Sequence, residues 1–165
     1  MQKKLEPNDR LDVLGQTFRI ELNFTVTDAG EGGECGNIFQ LTSGDNNEVN
    51  PALKICPKIS EAMMLYFDLK PIGFREMLFN EINFKFSESN FGKPNNVIIQ
   101  QVVKDKLRLQ VFVNGLRDFN EDESLPEMKN VDVWISDNIG SNRMSAKGTM
   151  HSLTITTPYE EPTLD

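Results

Sequence analysis

The sequence has few residues of the types on which metal sites and disulfide frameworks depend. It contains two cysteines and one histidine in 165 residues. Cys35 and Cys56 have no nearby Cys or His at the spacing of a zinc site, and two cysteines are too few for a disulfide framework. Each lies beside a predicted strand, and the two strands are consecutive. One disulfide between them and a pair of free thiols therefore both stay open.

A basic surface is also lacking. Asp and Glu outnumber Lys and Arg by 25 to 17, which gives a formal net charge of −8. Proteins that bind phosphate backbones or anionic membranes need clustered positive charge, so we expect neither partner. No apolar run approaches the roughly 20 residues of a membrane-spanning helix, and the N-terminus lacks the apolar core of a signal peptide. We therefore expect no membrane insertion, and either a cytosolic protein or the mature segment of a secreted one.

Helical periodicity is absent over anything longer than about two turns. The clearest pattern is an alternation of apolar residues over 107–115, which ends at the turn-forming step Asn114-Gly115. Residues 18–27 alternate in the same way, and shorter apolar runs lie between turn residues at 37–43, 52–59, 63–69, 80–87, 97–103, 130–137 and 148–156. About ten strands with no helices between them predict an all-β antiparallel sandwich or barrel.

The length fits one domain with a real hydrophobic core. Residues 1–10 are polar and predict a flexible lead-in, and residues 11–157 form the predicted domain. Residues 119–127 carry consecutive acidic side chains and predict a solvated loop, and 158–165 predict an acidic C-terminal tail.

Three segments together resemble a known superfamily. They are the strand 37–44, the Val-Phe-Val-Asn-Gly strand that ends at Gly115, and the pair 130–137 and 148–155. In this order they resemble the concanavalin A-like lectin and glucanase superfamily, nearest to its laminin-G-like and pentraxin-like domains. The resemblance implies a jelly-roll β-sandwich of two packed sheets with little or no helix. It also implies an extracellular, secreted location.

One stretch is similar to the active-site strand of laminarinase-type glucanases, which reads Glu-Ile-Asp-Phe-Glu-Phe. Here Glu81 keeps the nucleophile position, while Asn83 and Lys85 replace the two following carboxylates. A cationic lysine is a poor acid for a glycosidic oxygen, so we predict that the chain is not an enzyme. Galectins share the fold, but the contexts of Trp134 and His151 do not match the galactose-binding motifs of galectins.

The outward positions of the predicted strands supply the candidate ligand-binding residues, which are Glu81, Asn83, Lys85, Arg108, Asp132 and Trp134. Trp134 either stacks on a sugar ring or packs in the core against a loop, and the second alternative is favoured. His151 shares its strand phase with Leu153 and Ile155, which predicts a histidine packed in the core.

Calcium is the one candidate cofactor, and no cofactor is required by the pattern. Two Asp-Asn steps follow predicted strands, at Asp45-Asn46 and Asp137-Asn138. Calcium binds six to eight oxygens, and loops that meet at one end of a sandwich can supply them, although such residues are also common turn formers. Asn23 begins an Asn-Phe-Thr glycosylation sequon.

These observations predict a non-catalytic recognition module that binds glycan or protein partners through rim loops or a sheet face. One alternative is a structural, matrix or adhesion protein that self-assembles as a homo-oligomer through acidic loops or an exposed sheet edge. Another is a divergent glycoside hydrolase that uses Glu81 with an unrecognised partner.

Overall fold

The computed structural model describes residues 9–28, 36–43, 49–57, 63–68, 85–86, 90–121, 124–135 and 147–162. In these ranges the chain forms eleven strands and no α-helix, and so no helix that could cross a membrane. The strands are β1 (Asp9–Leu14), β2 (Phe18–Asp28), β3 (Gly36–Ser43), β4 (Val49–Pro57), β5 (Met63–Asp68), β6 (Lys85–Phe86), β7 (Asn95–Val103), β8 (Leu107–Val113), β9 (Leu116–Glu121), β10 (Met128–Ile135) and β11 (Lys147–Thr156).

The strands form two antiparallel sheets. The six-stranded sheet has the order β1-β10-β3-β4-β5-β6, and the five-stranded sheet has the order β11-β2-β7-β8-β9. Strands distant in sequence are neighbours in both sheets, as when β10 lies between β1 and β3. This is the predicted jelly-roll sandwich.

The core fills the space between the sheets. In β2 the alternate residues from Phe18 to Val26 are at most 3% exposed, as are Leu109, Val111 and Val113 in β8. Burial of each such side chain contributes roughly 1.5–3 kcal/mol. Alternation in the sequence therefore decides which side of each strand faces inward.

The turn after β8 has the predicted geometry. Asn114 and Gly115 have φ angles of 49° and 84°, and this left-handed backbone reverses the chain into β9. The Asn114 side-chain oxygen also accepts a hydrogen bond from the backbone N–H of Asn96 at 2.8 Å, which ties the turn to β7.

Two strands were not predicted. β1 begins at Asp9, inside the predicted lead-in, and β9 extends to Glu121, inside the predicted acidic loop. Both lie at a sheet edge and pair with one neighbour only, so they need little apolar alternation to form. The predicted strand 80–87 appears as β6 over Lys85–Phe86, and its other residues lie outside the described ranges.

Part of the predicted acidic tail, 158–165, is bound to the domain. Just before it, the hydroxyl of Thr157 donates a hydrogen bond to the carbonyl oxygen of Thr17 at 3.0 Å. Further along, the Glu161 carboxylate accepts one from Gln100 Nε2 at 3.0 Å. The segment therefore crosses the outer face of the five-stranded sheet and covers one end of it.

Candidate functional site

The outer face of the six-stranded sheet carries a row of polar side chains. Residues directly opposite each other on neighbouring strands share a face, and the register pairs Trp134 with Gln40, Asp132 with Thr42 and Gln40 with Ala52. Asn37 lies opposite Lys54 on the same side. We call this surface the polar face, and its members are Asn37, Gln40, Thr42, Ala52, Lys54, Asp132 and Trp134.

The middle of the polar face is buried. Gln40 is 1% exposed, Asn37 and Thr42 are 2% exposed, and Trp134 is 5% exposed. Buried polar groups in folded proteins nearly always have hydrogen-bond partners.

Trp134 and Thr42 satisfy each other. The indole Nε1–H donates to the hydroxyl Oγ1 of Thr42 at 2.9 Å. The ring is buried, so Trp134 does not offer the exposed stacking surface considered in the sequence. It lies directly opposite Gln40 of β3.

Two buried atoms of the polar face have no hydrogen-bond partner among the described contacts, namely Asn37 Oδ1 and Gln40 Nε2. One is an acceptor and the other a donor. Each unsatisfied buried group costs about 1–3 kcal/mol. A fold that retains two of them on one face has a candidate ligand-contacting pair there.

Gln101 shows how the same protein treats a buried glutamine elsewhere. It is fully buried, and its Nε2 donates to the carbonyl oxygens of Gln16 at 2.7 Å and Leu125 at 3.1 Å. Its Oε1 accepts from the backbone N–H of Leu125 at 2.7 Å. The unpartnered Gln40 Nε2 is therefore unlike the comparable buried amide in the other sheet.

A charged pair borders the polar face. Arg10 Nε lies 2.8 Å from Asp132 Oδ1, and the Asp132 side chain is 14% exposed. Asp132, predicted as a ligand-binding residue, is thus on this face and already bound to a cation. An ion pair of this kind contributes roughly 0–1 kcal/mol to stability. Its main effect is to neutralise the negative charge of Asp132 at the border of the polar face.

The other predicted ligand-binding residues do not join this cluster. Arg108 lies in β8 of the five-stranded sheet, where its Nε bonds Asp105 Oδ1 at 3.0 Å. That hydrogen bond holds the pKa of the Asp105 carboxyl below its usual value. Lys85 lies opposite Met64 at the far edge of the six-stranded sheet, and Glu81 and Asn83 lie outside the described residues.

His151 is not a core residue. The β11–β2 ladder shifts register between Met150 and Ser152, and this bulge resets the alternation. His151 is exposed, and its Nε2 lies 2.7 Å from the Thr25 hydroxyl. The prediction that His151 packs in the core is therefore wrong.

The sequon residue Asn23 lies in the middle of β2. Its Nδ2 donates to Ser152 Oγ at 2.9 Å, and its Oδ1 accepts from Asn96 Nδ2 at 2.9 Å. A glycan on Nδ2 would replace the first of these bonds. The Asn23 amide thus links β2 to both of its neighbours, β11 and β7.

The four candidate calcium ligands, Asp45, Asn46, Asp137 and Asn138, all lie outside the described residues. The ladder shows where their loops begin, because Ser43 is opposite Val131 and Ile135 is opposite Phe39. β3 and β10 therefore end at opposite ends of their ladder, about 13 Å apart at about 3.3 Å per residue. Within the described part of the chain, no group of three or more His, Cys, Asp or Glu is placed to hold a metal ion.

Of the two cysteines, Cys35 lies outside the described residues and Cys56 belongs to β4. The β3–β4 ladder pairs Gly36 with Ile55. The disulfide stays a prediction.

Comparison with known proteins identifies the fold. No protein-family model and no curated protein sequence matches the chain. A heptameric SAP-like pentraxin from Limulus polyphemus matches with a TM-score of 0.57 and 13% identity, over 90% of this chain and 67% of the pentraxin. A mutant of alginate lyase Aly36B in complex with alginate tetrasaccharide matches with a TM-score of 0.57 and 10% identity, over 88% of this chain and 69% of the lyase.

The extracellular region of zebrafish Gpr126 also matches, with a TM-score of 0.53 and 14% identity, over 88% of this chain and 18% of that region. Identities this low show a shared fold alone. The chain has the concanavalin A-like jelly-roll fold, as its sequence predicted.

Proposed function

We propose that this chain is a non-catalytic recognition module that binds a glycan on the polar face. The observation that carries the proposal is the unpartnered pair Asn37 Oδ1 and Gln40 Nε2. A sugar hydroxyl both donates and accepts hydrogen bonds, so neighbouring hydroxyls match an acceptor and a donor on one surface. Neither amide carries a charge, which favours a neutral part of the glycan at this position.

Ligand access requires movement. Asn37 and Gln40 are buried, so a glycan reaches them only after a local rearrangement of the polar face. Binding that waits for a conformational change has a reduced association rate. We therefore expect slow association, at a rate that saturates as the glycan concentration rises.

The similar folds support a glycan ligand. The lyase that shares the fold was solved with an alginate tetrasaccharide bound. We propose that this chain uses the same scaffold to bind its ligand without cleaving it, outside the cell. Protein partners remain the alternative if no glycan binds.

A polysaccharide-cleaving enzyme is the second candidate, and the likeness to an alginate lyase favours it. Against it, the sole histidine lies on β11 of the five-stranded sheet, and so in the opposite layer from the polar face. At the glucanase-like strand, Lys85 stands where an acid is needed. Release of new reducing ends or unsaturated products from alginate or β-glucan, lost in a Glu81→Gln variant, would favour an enzyme.

A glycan-array screen tests the proposal, run once with calcium and once with chelator. Three proteins are compared: the wild type, Gln40→Met on the polar face, and Gln110→Met on the outer face of the other sheet. We expect the wild type and Gln110→Met to bind the same glycans and Gln40→Met to bind none. A blank array for the wild type in both buffers, or unchanged binding by Gln40→Met, would overturn the proposed site.

A further inference from the structure

A strap formed by residues 157–162 lies across one end of the five-stranded sheet, and its first half is anchored by several contacts. The hydroxyl of Thr157 donates a hydrogen bond to the carbonyl oxygen of Thr17 at 3.0 Å. The backbone N–H of Tyr159 donates to Thr17 Oγ1 at 3.2 Å. The guanidinium of Arg19 lies 5.9 Å from the centre of the Tyr159 ring. The strap is therefore fixed to the domain as far as Tyr159.

The second half of the strap is held by one side chain. The Glu161 carboxylate accepts a hydrogen bond from Gln100 Nε2 at 3.0 Å and pairs with the ammonium of Lys104. Within the described part of the chain, no other hydrogen bond or ion pair holds residues 160–162. Loss of this one carboxylate would therefore release the second half of the strap, with Tyr159 as the hinge.

A cavity of about 750 Å³ lies between the strap and the sheet. Thr17, Val103 and Lys104 line it on the sheet side, and the strap residues from Pro158 to Pro162 form its other side. Val103 is 67% exposed, so the strap does not cover it. Packed protein interiors contain few voids larger than a water molecule, whereas binding sites for small molecules measure roughly 300–1,000 Å³. The strap thus spans a space of ligand size.

The two groups that hold Glu161 form a carboxylate site that belongs to the sheet. Gln100 lies in β7, between β2 and β8, and is 5% exposed, so the sheet and not the strap fixes its position. Lys104 follows directly after β7 and supplies a positive charge. An N–H donor beside an ammonium matches the oxygens of a carboxylate, and charge-assisted hydrogen bonds of this kind are strong. Both groups stay in the sheet when the strap moves away.

We propose that Glu161 is a built-in competitor for this site, and that a small organic acid binds in the cavity by displacing it. The carboxylate of the acid takes the place of Glu161 between Gln100 and Lys104, and the rest of the molecule lies beside Val103. One carboxylate replaces another, so the exchange conserves the hydrogen bond and the ion pair.

The strap sets the concentration of acid that the site requires. Glu161 is tethered two residues after its anchor at Tyr159. A group on so short a tether competes with an effective concentration in roughly the millimolar range. We therefore expect weak binding of the acid in the wild type and tighter binding when the competing carboxylate is removed. This proposal does not depend on the glycan proposal for the other sheet.

Isothermal titration calorimetry of the full chain with glucuronate and with N-acetylglutamate tests the proposal. Glucose and N-acetylglutamine are the matched neutral probes, and the two acids distinguish a sugar from an amino acid as the part that occupies the cavity. Glu161→Ala should bind at least one acid about tenfold or more tightly than the wild type. Asp12→Ala removes an exposed carboxylate from β1 in the other sheet and should bind like the wild type. The double variant Glu161→Ala/Lys104→Met should not bind either acid.

Three calorimetric results would overturn the proposal: no binding of either acid by Glu161→Ala, equal affinity in Glu161→Ala and the wild type, or equal binding of acids and neutral probes. NMR locates the bound acid. The Gln100 side-chain NH2 signal, identified by its loss in Gln100→Met, should shift in Glu161→Ala and return toward its wild-type position when the acid binds. Binding that leaves this signal in place would contradict the assignment of the site.

Discussion

Trp134 of β10 donates a hydrogen bond from Nε1 to the Thr42 hydroxyl of β3 at 2.9 Å, and both side chains are buried. This bond fixes the indole on the polar face, two residues along β10 from Asp132 and directly opposite Gln40. The tryptophan is the only one in the chain, so its fluorescence reports on this face.

Thr42→Val should destabilise the protein. It keeps the side-chain shape but leaves the buried indole N–H unpaired, so the free energy of unfolding should fall by about 1–3 kcal/mol. Urea denaturation followed by Trp134 fluorescence measures this. Trp134→Phe in the Thr42→Val background should cost less than in the wild type, because it removes the unpaired donor. An unchanged stability for Thr42→Val would mean that the bond contributes nothing.

Gln40→Met and Gln101→Met should change stability in opposite directions. At Gln40 the substitution removes an unpartnered buried donor, so the free energy of unfolding should rise by about 1 kcal/mol. At Gln101 it removes three hydrogen bonds and leaves a buried Leu125 N–H unpaired, so stability should fall by at least about 1–3 kcal/mol. Equal losses in the two variants would show that Gln40 Nε2 has a partner, such as a buried water.

Alternation in the sequence was enough to predict the layers of the fold. Residues 18–27 and 107–113 each have one apolar face, and both form inner strands of the five-stranded sheet. The edge strands β1 and β9 were not predicted, because a strand that pairs on one side alone needs little apolar alternation. Local periodicity therefore predicted the well-buried strands. The edge strands depend on pairing with a neighbouring strand, which local periodicity does not show.

The unpartnered pair could not be predicted from a period of two. Asn37 and Gln40 are three residues apart, which places them on opposite faces of a regular strand. In β3 the ladder shifts between Asn37 and Phe39, and the extra residue brings both onto the polar face. A similar shift between Met150 and Ser152 moved His151 from the predicted core to the surface. Bulges of this kind depend on the partner strand.

We predict a disulfide between Cys35 and Cys56 in protein made in an oxidising compartment. The two cysteines lie at the sequence ends of β3 and β4, which are neighbours in the six-stranded sheet, and a disulfide between neighbouring strands is the arrangement we expect. Intact mass should rise by two hydrogens on reduction, and the melting temperature should fall. Two thiols that react with an alkylating reagent in the folded, unreduced protein would contradict this.

Calcium should leave the melting temperature unchanged. The loops that contain Asp45 and Asp137 begin at opposite ends of the β3–β10 ladder, so a single ion shared between them is not favoured. Thermal unfolding in millimolar calcium and in chelator measures the effect. A rise in calcium that disappears in both Asp45→Ala and Asp137→Ala would restore the joint site predicted from the sequence.

The most direct test of the proposed site is an NMR titration of the side-chain amide groups. Spectra of the isotope-labelled protein resolve each Asn and Gln NH2 pair, and Gln40→Met identifies the Gln40 signal by its loss. With the glycan selected on the array, the account predicts that the Gln40 and Asn37 signals shift together and that the Gln101 signal, whose bonds are complete, stays in place. Saturation with glycan while Gln40 and Asn37 stay unshifted would contradict the account.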